Sequence, residues 1–274
     1  MKLRFAQLSA AALALLVPAV ALADPPQASG FGMPHDASEY GHHIDRLILV
    51  STFFIAALFI IMVGWMMLAV VRHNRGHVAR YEHGGIKNTL ILAFAIFAVV
   101  DGTLFTNTML DLNAYFYNFN LPESSPQAVR IEVNGHQWAW TARYAGPDGK
   151  FNTADDIVTL NDFRVPVDTP VILQVASTDV IHSFYLPNFR AKIDAMPGMV
   201  NRLWFQPKEV GEYEIGCSQH CGANHYKMRA ELRVLSKEDF ARWAAEASAN
   251  SQRAFDADDQ TAHWGWDWAE HSRI

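Results

Sequence analysis

Glu212-Tyr213-Glu214-Ile215-Gly216-Cys217-Ser218-Gln219-His220-Cys221-Gly222-Ala223-Asn224-His225-Tyr226-Lys227-Met228-Arg229-Ala230-Glu231-Leu232-Arg233-Val234 is the stretch on which the reading of this chain turns. It begins as a strand, 212–216, and ends as one, because Ala230, Leu232 and Val234 alternate with Arg229, Glu231 and Arg233 at the period of a half-buried β-strand. Between them lie both cysteines of the whole chain, spaced C-x3-C, with His225 four residues on and Met228 three further. Thiolate, imidazole and thioether form a soft donor set that suits copper better than calcium, magnesium or manganese. A rigid sheet on either side can hold such a loop in one geometry. A mononuclear cupredoxin site needs one Cys, two His and a weak axial Met. The second Cys here offers two thiolates on one tight loop, enough to bridge two ions. The missing second histidine must come from elsewhere, with His136, His182 and His220 as candidates. His182, in Asp179-Val180-Ile181-His182-Ser183-Phe184, follows a probable strand; His220, squeezed between the cysteines, is expected to point away.

Outward from the loop, residues 120–236 keep the same period. Val129, Ile131 and Val133 alternate with Arg130, Glu132 and Asn134, and further strands are expected at 137–144, 157–165, 171–177 and 199–206. About seven short strands separated by turn signals predict a β-sandwich or barrel with Greek-key connections, and with the soft-donor loop the expected fold is an all-β cupredoxin-like Greek-key sandwich. Asp148-Gly149 marks a hairpin. Asp155 and Asp156 beside it are either part of a calcium loop, whose ligand order is lacking, or a plain acidic turn.

The N-terminal third is different in kind. Lys2 and Arg4 precede an apolar run from Leu8 to Val20, and Ala21-Leu22-Ala23 is a small-x-small cleavage signal, so residues 1–23 read as a signal peptide, with an uncleaved anchor as the alternative. Leu47 to Val71 carries no charged side chain and would span a bilayer as a helix; a second helix is expected over about 88–110, interrupted by Asp101. The connection between them holds Arg72, Arg75 and Arg80 with no acid before Glu82, which places it in the cytoplasm and the ends of the hairpin, with the β-domain, outside. Asp101 is either a proton-transfer group or a hydrogen-bonding partner of Thr103, Asn107 or a neighbouring helix. Either reading requires another membrane protein beside the hairpin. The organisation is therefore 24–111 for an N-terminal segment and transmembrane hairpin, 112–236 for the β-domain, and 237–274 for a C-terminal helix and an acidic tail. That tail carries Trp264, Trp266 and Trp268, suited to a neighbouring subunit, the membrane interface or its own domain.

The chain of 274 residues is half hydrophobic with a net charge of −6, too apolar and aromatic for disorder and of the wrong sign for nucleic-acid binding. Two cysteines cannot build a disulfide scaffold. A single Cys217–Cys221 disulfide, or a structural zinc site, remain alternatives for the loop; the first leaves His225 and Met228 unexplained, the second makes Met228 superfluous.

The hairpin, the exported β-domain, the His182 segment and the C-x3-C-x3-H-x2-M loop together resemble subunit II of the haem-copper cytochrome c oxidases, which carries the binuclear CuA copper centre. Gly135-His136-Gln137-Trp138-Ala139-Trp140, Lys192-Ile193-Asp194-Ala195-Met196-Pro197-Gly198 and Gly211-Glu212-Tyr213 look like further family motifs, and the likeness runs from about residue 40 to 236. The resemblance implies that Cys217 and Cys221 bridge two coppers, that His182 and His225 bind one each, and that Met228 and the backbone carbonyl of Gln219 complete the set. It also implies electron entry from cytochrome c at Trp138 and onward transfer to haem in subunit I, where oxygen is reduced to water. This chain is then the electron-transfer subunit of a respiratory oxidase in the bacterial cytoplasmic membrane, its copper domain on the periplasmic side, with subunits I and III as partners and no nucleic acid. Two departures stand out. Gln219 occupies a position usually held by Glu, so a magnesium ion is not expected there. Gly84-Gly85-Ile86-Lys87-Asn88 lacks the usual acid followed by an aromatic, which puts a proton-channel entrance in doubt; Glu82 is the nearest carboxylate. Rival readings are a nitrogen-oxide reductase, which would need a β-propeller this length cannot supply, a copper-carrying assembly protein, and a quinol-oxidase relative, which would lack the copper ligands.

Overall fold

The computed structural model describes residues 28–29, 32–78 and 85–254. The signal-peptide segment, Arg80, Glu82 and the tryptophan-bearing tail lie outside the described residues. The chain divides after Asp36. In the first part β1 (Ala28–Ser29) pairs with β2 (Met33–Pro34). The second part holds everything described below.

Two long helices come first, α1 (Gly41–Arg72) and α2 (Ile86–Asp111). No proline interrupts either, and between their polar ends both are apolar all round save for Asp101 in α2, the pattern of a helix surrounded by hydrocarbon rather than lying on a core. Both are long and apolar enough to cross a membrane. α1 starts six residues earlier than the apolar run predicts, because its polar first turns have partners: Asp45 accepts two hydrogen bonds from Arg190, at 2.7 and 3.0 Å, and the His43 ring lies 4.3 Å from that of Tyr115. α2 continues through a π-helical turn, Leu112–Phe116, to the short α3 (Asn120–Ser124).

Ten strands then form two five-stranded sheets. One has the order β10 (Asn201–Phe205), β7 (Val171–Ser177), β3 (Val129–His136), β4 (Ala139–Tyr144), β5 (Ile157–Leu160). The other runs β6 (Asp162–Pro166), β12 (Arg229–Leu235), β11 (Gly211–Cys217), β8 (His182–Leu186), β9 (Ala191–Ala195). β3 with β7 and β12 with β6 pair in parallel and the remaining neighbours antiparallel. Ile131, Val133, Trp140, Leu173, Phe184, Ile215 and Leu232 are all buried in the core, as the period-two pattern requires. The expected strand 157–165 is two strands, broken at Asn161, whose φ of 55° turns the chain from one sheet to the other. β8 and β9 were not expected as strands; their short runs read as motif segments. The last helix, α4 (Lys237–Ala254), is longer than the expected 238–247.

Several strands are buried on both faces, β7 from Val171 to Val175 among them, and in β3 one such position carries a charge. Glu132 should face water, yet it is fully buried beside its cross-strand neighbours Arg143 and Gln174. The long β4–β5 connection folds over this face: Arg143 ion-pairs Asp156 at 3.6 Å and donates to Asn152. Asp155 accepts from Thr153 and from the Asp148 amide, and Ser248 of α4 donates to its carbonyl. These two acids are engaged as an internally satisfied turn. The segment before α1 straps the hairpin to the sandwich, with backbone bonds from Ala37 to Asn188, Glu39 to Gln206 and Lys208 to Ala37.

Candidate metal centre

The cysteine loop leaves the sandwich at the end of β11 and returns through a 3-10 turn, His225–Lys227, into β12. The turn is closed by backbone hydrogen bonds from the His225 N–H to the Gly222 carbonyl and from the Met228 N–H to the His225 carbonyl. β8 lies beside β11, with Phe184 opposite Cys217, and this pairing carries His182, thirty-five residues away in sequence, to the loop.

Six donor groups converge. The two sulfurs stand 3.7 Å apart and both cysteines are free. His182 Nδ1 is 4.0 Å from Cys217 Sγ, and His225 Nδ1 is 3.6 Å from Cys221 Sγ. Met228 Sδ lies 3.1 Å from His182 Nδ1 and 3.7 Å from Cys221 Sγ. The Gln219 carbonyl is 3.2 Å from Cys217 Sγ. His182 is wholly buried, Met228 is 1% exposed, and Cys221 3%. A disulfide needs sulfurs about 2 Å apart, so the loop holds two thiols. Soft-metal–thiolate bonds are about 2.3 Å, so an ion lying between these sulfurs reaches both without either moving. His182, Cys217 and Cys221 offer ligand atoms within 4.8 Å of one another.

Surrounding groups set the protonation of this cluster. Burial opposes ionisation of Cys217, but hydrogen bonds with His182, Ser183 and Gln219 outweigh it and bring the thiol down to about 6. Burial and the neighbouring Cys217 push Cys221 up to about 12. The pair gives up its first proton readily and holds its second. His182 Nε2 is 2.8 Å from Asp179 Oδ1. Despite partial burial, Asp179 is held at about 2 by His182 and by the amides of Val180 and Gln137. A carboxylate on Nε2 keeps the proton there and leaves Nδ1 as the lone-pair donor.

Trp138 is half-buried and its indole N–H donates to the Cys221 carbonyl at 3.2 Å, while Gln137 Nε2 donates to the same oxygen at 2.8 Å. Gly222 makes that approach possible. Its φ is +116°, and a Cβ there would lie 2.9 Å from Gln137 Nε2 and 3.3 Å from Trp138. Trp140 is the buried tryptophan of the pair, edge-on to His182 and Phe184. His136 sits at the end of β3, and His220 is exposed with its ring 5.6 Å from that of His225. Sequence reasoning quoted Asp179 and Gln137 without giving them a role. The Asp-x-x-His spacing of Asp179 and His182 was the available signal.

A cupredoxin-like sandwich carried by two apolar helices, with two thiols, two imidazoles and a thioether at the end of one sheet, defines a membrane-anchored domain with a soft-metal site. Residues 129–234 match the family model described as cytochrome C oxidase subunit II, periplasmic domain. The chain is 30% identical over 258 residues to cytochrome c oxidase subunit 2 of Cereibacter sphaeroides, covering 81% of this chain and 82% of that one. It therefore belongs to the cytochrome c oxidase subunit II family. The alternative cytochrome c oxidase subunit 2 of Bradyrhizobium diazoefficiens is 36% identical over 138 residues, 42% of this chain and half the length of that relative. The crystal structure of the periplasmic domain of subunit II of cytochrome oxidase from Bradyrhizobium japonicum is 32% identical, covers 44% of this chain and 94% of that one, and superposes with a TM-score of 0.40.

Proposed function

We propose that this chain is the electron-accepting subunit of a respiratory cytochrome c oxidase, holding a binuclear copper centre on the outer side of the bacterial cytoplasmic membrane. The observation that carries this reading is the convergence of six donors around two unpaired thiols 3.7 Å apart. Cys217 and Cys221 would bridge the ions. Met228 lies nearest His182 and the Gln219 carbonyl nearest Cys217, which supports His182 with Met228 on one ion and His225 with Gln219 on the other. Copper bound in this way supplies one-electron exchange with little rearrangement of its ligands.

The chain's own residues supply the rest. Asp179 fixes the His182 ring and, holding its charge down to about pH 2, offsets cationic charge at the site. Burial of Met228, Cys221 and His182 excludes water. Trp138 connects the protein surface to the backbone of Cys221 through one hydrogen bond, a direct route inward for an electron from cytochrome c. The hairpin anchors the domain beside subunit I, where haem receives the electron, and subunit III completes the assembly. A zinc site is disfavoured because Met228 Sδ, a donor zinc does not require, is aimed into the cluster.

The test is rapid mixing of the purified membrane complex with reduced cytochrome c. Oxidation of the cytochrome should be slowed at least tenfold by Trp138→Phe with copper content unchanged. A chain that purifies alone, without a haem-bearing subunit, and yields its metal to a chelator would be a copper carrier instead.

A further inference from the structure

Where the hairpin meets the sandwich, a cavity of about 170 Å³ opens between the outer ends of α1 and α2 and strands β9 and β10. It lies well away from the cysteine loop in sequence and shares no lining residue with it. Its walls are mostly apolar and unusually aromatic: Tyr40, Tyr115, Phe116, Phe189, Trp204 and Phe205. Tyr40 stacks on Tyr115 at 4.8 Å and meets Trp204 edge-on at 5.3 Å, so the ring faces are fixed.

One end of the cavity is polar. Asp111, 8% exposed, and His43 both line it. Asp111 Oδ1 is 3.3 Å from His43 Nδ1, and Arg46 approaches Oδ2 at 3.7 Å, yet both Asp111 Oδ2 and His43 Nδ1 are buried without a hydrogen-bond partner. A buried carboxylate oxygen without a donor is costly. With the His43 proton on Nδ1, the nitrogen that faces the carboxylate, the group that answers both atoms at once is a hydroxyl, which donates to the carboxylate and accepts from the imidazole; an ammonium cannot accept and a carbonyl cannot donate. The size of the space decides what carries the hydroxyl. An apolar cavity of about 150 Å³ holds one benzene ring, and aromatic walls favour a ring by stacked and edge contacts.

We propose that this junction is a binding site for a single-ring phenolic small molecule that reaches it from the lipid phase, its hydroxyl between Asp111 and His43 and its ring among Tyr40, Tyr115 and Trp204. The site is independent of the metal reading. Water alone would satisfy the polar end but would leave the aromatic walls wet, which an apolar ring avoids.

The test uses the full chain in lipid nanodiscs and two probes of equal ring size, 4-fluorophenol and fluorobenzene, followed by fluorine NMR. Saturable binding of 4-fluorophenol, at least tenfold tighter than fluorobenzene, is expected. Asp111→Asn should remove the difference while leaving fluorobenzene binding unchanged, and Thr108→Phe, which fills the cavity from α2, should abolish both. Unchanged helix content by circular dichroism identifies variants that remain folded. No saturable binding, equal affinity of the two probes, or a preference for the phenol that survives Asp111→Asn in the folded variant would each overturn the proposal.

Discussion

Within residues 217–228 each donor atom turns inward and has a neighbour within 4.0 Å, whereas along α1 and α2 the large side chains turn outward: Trp65 is 75% exposed and Phe94 71%. The loop is complete within its own domain. β11 supplies Cys217, β8 supplies His182 and the connection from β11 to β12 supplies the other donors, and Asp179, Gln137 and Trp138 brace it from the opposite sheet and its connections. The hairpin is incomplete. Its surface is built for hydrocarbon, and Asp101 sits exposed among apolar neighbours with no hydrogen bond among the described residues, a position that lipid tolerates poorly and a polar group on an adjacent helix relieves. The proposed function divides the same way: the sandwich would carry the metal chemistry, and the hairpin would set where it is delivered.

The largest effect that would break this contrast is at Cys221. On the proposed reading Cys221→Ser removes one of the two bridging sulfurs, so metal analysis should fall from two coppers per chain to one or none. Retention of two would mean the loop is not organised around a sulfur bridge. Next comes Gly222→Ala, which tests whether the bracing of the loop is as tight as the geometry indicates. An alanine there is strained by its φ of +116° and pushes Gln137 Nε2 off its bond to the Cys221 carbonyl, and should cost about 1–3 kcal/mol of stability, read as a lower thermal midpoint of the metal-free chain. An unchanged midpoint would show that the loop yields. The smallest effect belongs to the hairpin. Asp101→Leu should leave copper content untouched and weaken retention of the chain in the oxidase complex by about 1 kcal/mol, roughly fivefold, measured by dissociation in detergent. Loss of copper in that variant would show the two regions to be coupled.

What could be read from the amino-acid order follows the same line. The clustering of the loop side chains was readable because spacing within one short loop is local: Cys217, Cys221, His225 and Met228 fall within twelve residues. The core faces of β3 and β12 were readable from period two. β8 and β9 were not, since five-residue strands such as His182–Leu186 carry too few alternations to separate from a loop. Glu132 was misjudged as solvent-facing because its burial depends on the Arg143–Asp156 pair brought over it by a distant connection. Likewise the start of α1 at Gly41 depends on Arg190, about 145 residues away, and Asp111 facing His43 emerges only once the two helix ends meet. Local rules give most of the elements and the clustered loop; long-range pairing gives the braces and the cavity.

The most direct test of the central claim is electron paramagnetic resonance of the oxidised, copper-loaded full chain, with metal analysis of the same sample. Two coppers per chain and one unpaired electron spread evenly over two copper nuclei are the predicted result. A single-copper spectrum, a spectroscopically silent zinc-filled site, or a Cys217–Cys221 disulfide would contradict it.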